Sequence, residues 1–310
     1  MSGSIGGNRI PRANVKPTVN KYIKDVLSGF NGYKDCQISG SYNAGTRADH
    51  GDIDLVVWIE GSDIKKLKKD FKSYIENLSN EICPPFRSGK NQGKKAQMYG
   101  SIVTCQVPIV GKEEDYVQVD NIIVTTKDEA YFQKSFLDLD AQKQTLFTAL
   151  VRVLDDNKKN EAFKHFGIND LPILKDDGSE EFEFVLSTAG LSLRKITLSS
   201  ERKQVGKVEI WRSVIWDDVK WLLKGWDFNK TYDELLEITA DKIKDERSRK
   251  RICGVMKSMI NIGPGEVGTP KGDAKEKSIK DAYRILNVSE GFKSLRELIK
   301  ESLGNKLIFI

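Results

Sequence analysis

Histidine is nearly missing from this chain: His50 and His165 are the only two in 310 residues. The four cysteines, Cys36, Cys83, Cys105 and Cys253, are scattered and never in CxxC spacing. Together these scarcities argue against a structural zinc site. They point to a reducing compartment, the cytoplasm or alternatively the nucleus. No apolar run is long enough to cross a bilayer, and even Ile53 to Ile59 carries a polar residue, so no membrane partner is expected. Met1-Ser2-Gly3-Ser4 lacks the basic and apolar regions of a secretory signal. Neither sign of charge dominates: 50 Lys and Arg against 45 Asp and Glu give a formal charge of +5. That balance permits a polyanionic partner without requiring one.

What is present suffices for folded cores. Hydrophobic residues make up 39% and charged residues 31%, which excludes global disorder. The length suits about two domains.

The segment up to Asn14, rich in Gly, Ser, Arg and Pro, reads as an irregular arm. Pro17-Thr18 then precedes a helix with Val19, Tyr22, Ile23, Val26 and Leu27 on one face. Cys36 to Ser39 is a short strand ending at Gly40-Ser41. Ile53 to Ile59 is β-branched and reads as a buried strand. Gly61-Ser62-Asp63 caps a helix whose stripe is Ile64, Leu67, Phe71, Tyr74, Ile75 and Leu78. Ser101 to Val110 and Val117 to Val124 read as antiparallel neighbours. This is a small mixed sheet backed by helices. Beyond Thr126 the pattern is mostly helical. A helix follows Asp140, others span Trp216 to Leu223, Tyr232 to Ile243, Arg247 to Ile260 and Ser278 to Leu303, and a small hairpin lies between Phe182 and Ile210.

The segment Gly40-Ser41-Tyr42-Asn43-Ala44-Gly45-Thr46-Arg47-Ala48-Asp49-His50-Gly51-Asp52-Ile53-Asp54 carries the chemistry. Residues two apart on a strand share a face, so Asp52 and Asp54 present two carboxylates side by side. Like charges held that close repel unless a cation lies between them, and oxygen-only ligands suit Mg²⁺ or Mn²⁺. Gly40-Ser41, at a strand end, offers backbone N–H groups and a hydroxyl to an anionic phosphate. A two-metal site needs a further carboxylate. Asp120, in the alternating stretch Tyr116 to Ile123, fits if that strand pairs beside the first.

Gly40-Ser41, ten residues, Asp52-x-Asp54 and a later hydrophobic-flanked Asp120 resemble the signature of the DNA polymerase β-like nucleotidyltransferase superfamily. The form Gly40-Ser41-Tyr42-x-x-Gly45-Thr46 is most similar to the branch of poly(A) polymerases, oligoadenylate synthases and cyclic-dinucleotide synthases. The resemblance covers residues 18 to 125. It implies an α+β fold: a catalytic palm domain at 1–128, then a mostly helical domain at 129–310 that closes the cleft. It implies that Asp52 and Asp54 bind both metals, that Asp120 binds the catalytic metal and helps deprotonate the acceptor hydroxyl, and that Gly40 and Ser41 hold the triphosphate. The expected reaction moves a nucleoside monophosphate from an NTP, with ATP favoured, to an acceptor hydroxyl. A polynucleotide 3′ end such as RNA is the first choice. A second-messenger synthase is the alternative, and a non-catalytic RNA-binding module is the alternative of another class.

Arg47 and His50 have two readings, phosphate or acceptor contact against a solvated loop; Arg47 is the stronger nucleotide-binding candidate. Lys143 is the candidate for a basic residue of the helical domain that reaches the triphosphate, with Lys134 and Gln144 competing. Arg87, Lys90, Lys94 and Lys95 form a basic loop that either tracks a polyanion or is solvated. The run Arg247, Arg249, Lys250, Arg251 follows Asp245-Glu246, which favours a solvated helix face. Gly263-Pro264-Gly265-Glu266-Val267-Gly268 matches GxGxxG, but lacks a strand–turn–helix frame and is rejected as a dinucleotide site. The stretch on to Gly272 reads as a long loop. Trp211, Trp216, Trp221 and Trp226 recur at five-residue steps and read mostly as core anchors.

Overall fold

The computed structural model describes residues 7–45, 47–87, 91–100, 102–260 and 269–288. The chain divides into two compact units. The first is Met1–Asp140 with Thr188–Gly190 and Val214–Trp216; the second is Ala141–Ser187, Leu191–Ser213 and Asp217–Ile310.

The first unit begins with a two-residue strand, β1 (Ile10–Pro11), and helix α1 (Arg12–Asp25). The helix starts earlier than its periodicity suggests and holds Pro17 inside it. Burial of Val15, Thr18, Val19 and Tyr22 on one face outweighs the backbone hydrogen bond that Pro17 cannot donate. Next come β2 (Tyr33–Ser39), the one-turn helix α2 (Ser41–Ala44), β3 (Asp49–His50) and β4 (Asp52–Ile59). Helix α3 (Ile64–Glu76) follows. Its N-cap Asp63 accepts from the N–H groups of Lys65 and Lys66 at 2.9 and 3.0 Å, the cap expected from the sequence. Then come β5 (Ala96–Tyr99), β6 (Ile102–Ile109), β7 (Lys112–Val124) and helix α4 (Lys127–Leu137).

Five strands form one mixed sheet in the order β2-β4-β7-β6-β5. Only β4 and β7 run parallel; the other pairs are antiparallel. Alternation along the strands gives the sheet two different faces. Ile53, Leu55, Val57 and Ile59 of β4, with Val117, Val119 and Ile123 of β7, bury one face against Val15, Val19, Phe71 and Ile75 of α1 and α3. Asn121 also points there; it accepts from the Tyr22 hydroxyl at 3.0 Å and donates to the Val103 carbonyl at 3.0 Å, so its polarity is satisfied. The opposite face changes character along its length. At one end Val56, Ile122 and Val124 pack with Trp58, Ile102 and, from α4, Ala130 and Leu137. At the other end it is polar.

Apart from Gly190 and Trp216, which count with the first unit, the second unit contains α5 (Ala141–Arg152), α6 (Asp156–His165), β8 (Glu180–Ser187), β9 (Gly190–Leu198), β10 (Gln204–Ser213), α7 (Trp216–Leu222), α8 (Tyr232–Lys242), α9 (Glu246–Met259) and α10 (Pro270–Ile285). The expected small hairpin is a three-stranded antiparallel sheet ordered β10-β9-β8. Thr269 caps α10 and Pro270 occupies its first turn, so the stretch from Thr269 to Gly272 is a helix start rather than a loop. The GxGxxG match and the last part of the expected Ser278-to-Leu303 helix lie outside the described residues. Among the described residues no helix is long and apolar enough to cross a membrane.

Candidate active site

The polar end of the sheet face is built by register. Ser39 of β2 stands opposite Asp54 of β4, Asp54 opposite Asp120 of β7, Asp120 opposite Thr104 of β6, and Thr104 opposite Gln97 of β5. One row of five polar residues thus crosses the whole sheet. A second row, Asp52, Gln118 and Gln106, lies one pleat further toward the sheet end. Asp52, Asp54 and Asp120 therefore share a face on adjacent strands. The expected pairing of Asp120 beside the Asp52/Asp54 strand is present, in parallel register.

Each carboxylate has a different environment. Asp120 is only 7% exposed; its Oδ1 accepts from Thr104 Oγ1 at 2.7 Å and from Gln118 Nε2 at 2.9 Å, and its Oδ2 from the same Nε2 at 3.0 Å. Burial raises the Asp120 carboxyl above the ordinary range, and these hydrogen bonds oppose the rise. Burial, and next the charge of Asp120, also raise Asp52, while Arg9 and Arg47 pull it down. Asp54 is the most perturbed. Burial first, then the charges of Asp52 and Asp120, push it up to about 7. Among the described residues no side chain offers Asp54 a hydrogen bond or an ion pair.

The strand β2 ends beside Asp54, and the chain turns sharply at Gly40, with φ 71° and ψ −145°. A Cβ on Gly40 would lie 2.1 Å from Asp54 Oδ2. Ser41 follows as the first residue of α2. Its Oγ lies 3.1 Å from His50 Nδ1. His50 is 2% exposed and its Nε2 has no partner among the described residues. Burial, then Arg12 and Arg47, hold this imidazole below its ordinary pKa, which favours the neutral ring.

The rest of the turn is tied from three sides. Asn43 Nδ2 donates to the Ile38 carbonyl at 2.7 Å and to Asp138 Oδ1 beyond α4 at 3.0 Å. Arg12 donates through its side chain to the Gly45 carbonyl at 3.0 Å, stacks over the Tyr42 ring at 4.6 Å and donates its backbone N–H to Ala48 at 2.8 Å. β1 pairs with β3, Ile10 opposite His50, and Arg9 reaches Asp49 at 2.7 Å. The described part of the N-terminal arm, from Arg9 to Arg12, is therefore a strap on the loop rather than an irregular tail.

Arg47 is exposed, and its charge acts on Asp49, His50 and Asp52, so it belongs to this neighbourhood. Lys143 lies on α5 in the second unit, where its Nζ donates to the Phe228 carbonyl at 3.4 Å. Of the competing positions, Lys134 forms an ion pair with Asp138. In the basic loop, Arg87 stacks on Tyr116 at 4.3 Å and Lys95 donates to the Leu78 carbonyl, so both have structural partners; Lys90 lies outside the described residues. The tryptophans are anchors. Trp211 stacks on Phe166 and Trp221 on His165, Trp216 packs edge-on against Phe132, and Trp226 donates to Thr239 Oγ1 at 3.0 Å.

Sequence reasoning missed Arg9, Arg12, Thr104 and Gln118. The strand residues had a signal: Thr104, Gln106 and Gln118 are each polar between two buried Val or Cys neighbours. The arginines had none: they flank a two-residue strand that is too short to show a period.

The donor chemistry fits a divalent cation. Three hard oxygen donors face one side, where burial and the charges of Asp52 and Asp120 act on Asp54, and Ser39 Oγ and Gln118 Oε1 beside them are buried without partners among the described residues. The side chains are not drawn into a finished cage: among the described residues no three His, Cys, Asp or Glu side chains are gathered closely enough to hold a metal ion. The carboxylates lie in register on neighbouring strands, with Asp120 engaged by its own donors.

No protein-family model matches the sequence, and no curated protein does. Among solved structures the chain is similar to polymerase beta of Leishmania infantum in a ternary gap complex, with 12% identity over 93% of this chain and 70% of that chain and a TM-score of 0.34.

Proposed function

We propose that the chain is a metal-dependent nucleotidyltransferase that moves a nucleoside monophosphate from an NTP to an acceptor hydroxyl and releases pyrophosphate. The observation that carries this reading is the register that sets Asp52, Asp54 and Asp120 on the polar end of one sheet face, beside the Gly40-Ser41 turn. Divalent cations, when bound, supply charge neutralisation on the triphosphate and lower the pKa of the attacking hydroxyl. Asp52 and Asp54 would hold them, with Asp120 as the further ligand. Ser41 Oγ and the N–H groups at the start of α2 would receive phosphate oxygens, and Arg47 would add positive charge at the same mouth. His50, held neutral, keeps the Ser41 hydroxyl in a defined orientation.

The favoured substrates are ATP and a polynucleotide 3′ end, supported by the Gly-Ser segment that the sequence shares in form with poly(A)-polymerase-like enzymes. The test is to incubate the protein with Mg²⁺ or Mn²⁺ and each labelled NTP, with and without a short RNA. An RNA ladder supports terminal transfer, and a small product formed without RNA moves the assignment to a second-messenger synthase. Absence of turnover, with Asp52→Asn indistinguishable from wild type, rejects the enzyme reading. Salt-sensitive RNA binding would then mark a binding module.

A further inference from the structure

Thr104 and Gln118 spend their polar groups on one carboxylate. Both are buried between apolar strand neighbours, at 2% and 3% exposure. Burying a hydroxyl and an amide in a sheet is costly unless each has a partner, and the partner they share is Asp120. Thr104 reaches it directly across the β6–β7 pair, and Gln118 from two residues back on the same strand face.

The two oxygens of Asp120 are not treated alike. Oδ1 accepts from both Thr104 Oγ1 and Gln118 Nε2, so its in-plane lone pairs are used. Oδ2 accepts only from Gln118 Nε2, and keeps acceptor capacity. The Gln118 amide is itself fixed in sense: turning it over would set its carbonyl against the carboxylate. Its Oε1 consequently has no partner among the described residues.

We infer that Thr104 and Gln118 are positioning residues that lock Asp120 with Oδ1 engaged by both donors and Oδ2 kept as a single-oxygen ligand for a divalent cation. The inference rests on the metal-dependent reading above and names the side chains that make the third carboxylate a ligand of fixed orientation. Removing one of two donors leaves the carboxylate free to rotate and to take the wrong oxygen or both to the ion. Partners of this kind, one step behind a metal ligand, typically change metal affinity by about 10- to 100-fold.

The test uses the full chain with Mn²⁺ alone, without nucleotide, and reads the fraction of free Mn²⁺ by electron paramagnetic resonance. Thr104→Val and Gln118→Met keep volume and remove the donors. Each is expected to weaken Mn²⁺ binding by about tenfold or more, while Thr104→Ser, which keeps the hydroxyl, binds as wild type does. Unchanged binding in Thr104→Val and Gln118→Met, with binding lost in Asp120→Asn, overturns the inference and leaves the metal site standing. Unchanged binding in Asp120→Asn, or none in wild type, overturns the reading beneath it as well. If circular dichroism shows Thr104→Val or Gln118→Met unfolded, Thr104→Ser decides: loss of binding in that folded variant overturns the inference, and wild-type binding supports it.

Discussion

Gly40 and Asp54 occupy space that only one of them can fill: a Cβ on Gly40 would stand 2.1 Å from Asp54 Oδ2 and 2.9 Å from its carboxyl carbon. Asp54 is paired with Ser39, so the last residue of β2 delivers the turn directly onto the carboxylate. The turn also needs a positive φ of 71° with an extended ψ, a combination reached almost only by glycine. Close approach and backbone conformation thus demand glycine independently.

Gly40→Ala is therefore expected to destabilise the protein by on the order of 3 kcal/mol. It should also lower nucleotide transfer by about 100-fold, because the Asp54 carboxylate must swing aside. Gly45→Ala is the control. Gly45 has an extended φ of −158°, and its nearest contact for a Cβ is the Ser41 carbonyl at 3.9 Å, so the change should be close to neutral. Urea denaturation and an NTP incorporation assay on the two variants check both statements.

Asp54 makes the stability of the metal-free protein depend on pH. Its folded carboxyl, raised to about 7, holds its proton more tightly than an unfolded aspartate does. Between about pH 4 and 7 the folded state therefore binds more protons, and this contribution to stability falls as pH rises through that window. His50, with a lowered pKa, acts in the opposite sense, so the informative quantity is the difference between wild type and Asp54→Asn. From pH 5 to 8, in a chelator, wild type should lose on the order of 2 kcal/mol relative to Asp54→Asn, after allowing for the partial reach of solvent. The same variant should be inactive, so the carboxylate that weakens the fold is the one the chemistry needs. Equal pH profiles for the two proteins would contradict this.

The parts of this site that could be read in advance are those with a strand period. Asp52 and Asp54 share a face because they are two apart, and Asp120 sits in an alternating stretch long enough to show its own face. The Asp63 cap was legible for the same local reason. Helix α4 had a readable signal, Thr126 followed three residues later by Glu129: Thr126 Oγ1 accepts from the Glu129 N–H at 3.1 Å, while Glu129 Oε2 accepts from the Thr125 N–H at 2.9 Å. What was not legible depends on contacts distant in sequence. β1 and β3 have two residues each and exist because they pair with one another. The demand for glycine at Gly40 exists because register sets Asp54 against it, and the clamp on Asp120 appears only once β6 is placed beside β7.

Arg12 couples the N-terminal strap to the turn that carries Ser41. Its guanidinium is shared between the Gly45 carbonyl and the face of Tyr42, and both lie on that turn. Arg12→Ala should cost about 1 kcal/mol of stability. Its larger effect should be on KM for the NTP, raised several-fold with a smaller change in kcat, because the turn is loosened while the carboxylates are untouched. Arg12→Lys should behave closer to alanine than to wild type, since an ammonium cannot serve the carbonyl and the ring with one planar fork. Steady-state kinetics with varied NTP separates the two parameters, and an unchanged KM in both variants would remove Arg12 from this role.

Arg249 separates a structural role from a nucleic-acid role within one basic run. Its Nε and one terminal nitrogen donate to the carbonyls of Ile243 and Ala240 at 2.6 Å each, at the end of α8, and its other terminal nitrogen donates to Leu286 at 3.2 Å after α10. One guanidinium thus closes two helix ends whose carbonyls have no intrahelical donor. Its neighbour Lys250 instead pairs with Glu246 one turn away, on the exposed side. Arg249→Ala should destabilise the fold by about 3 kcal/mol, as expected for several charge-assisted hydrogen bonds lost together. Lys250→Ala should cost under about 0.5 kcal/mol. RNA affinity per folded molecule, measured by anisotropy at fixed salt, should be the same for Arg249→Ala and wild type. A drop in affinity without a drop in melting temperature would reverse the assignment and make Arg249 a phosphate contact.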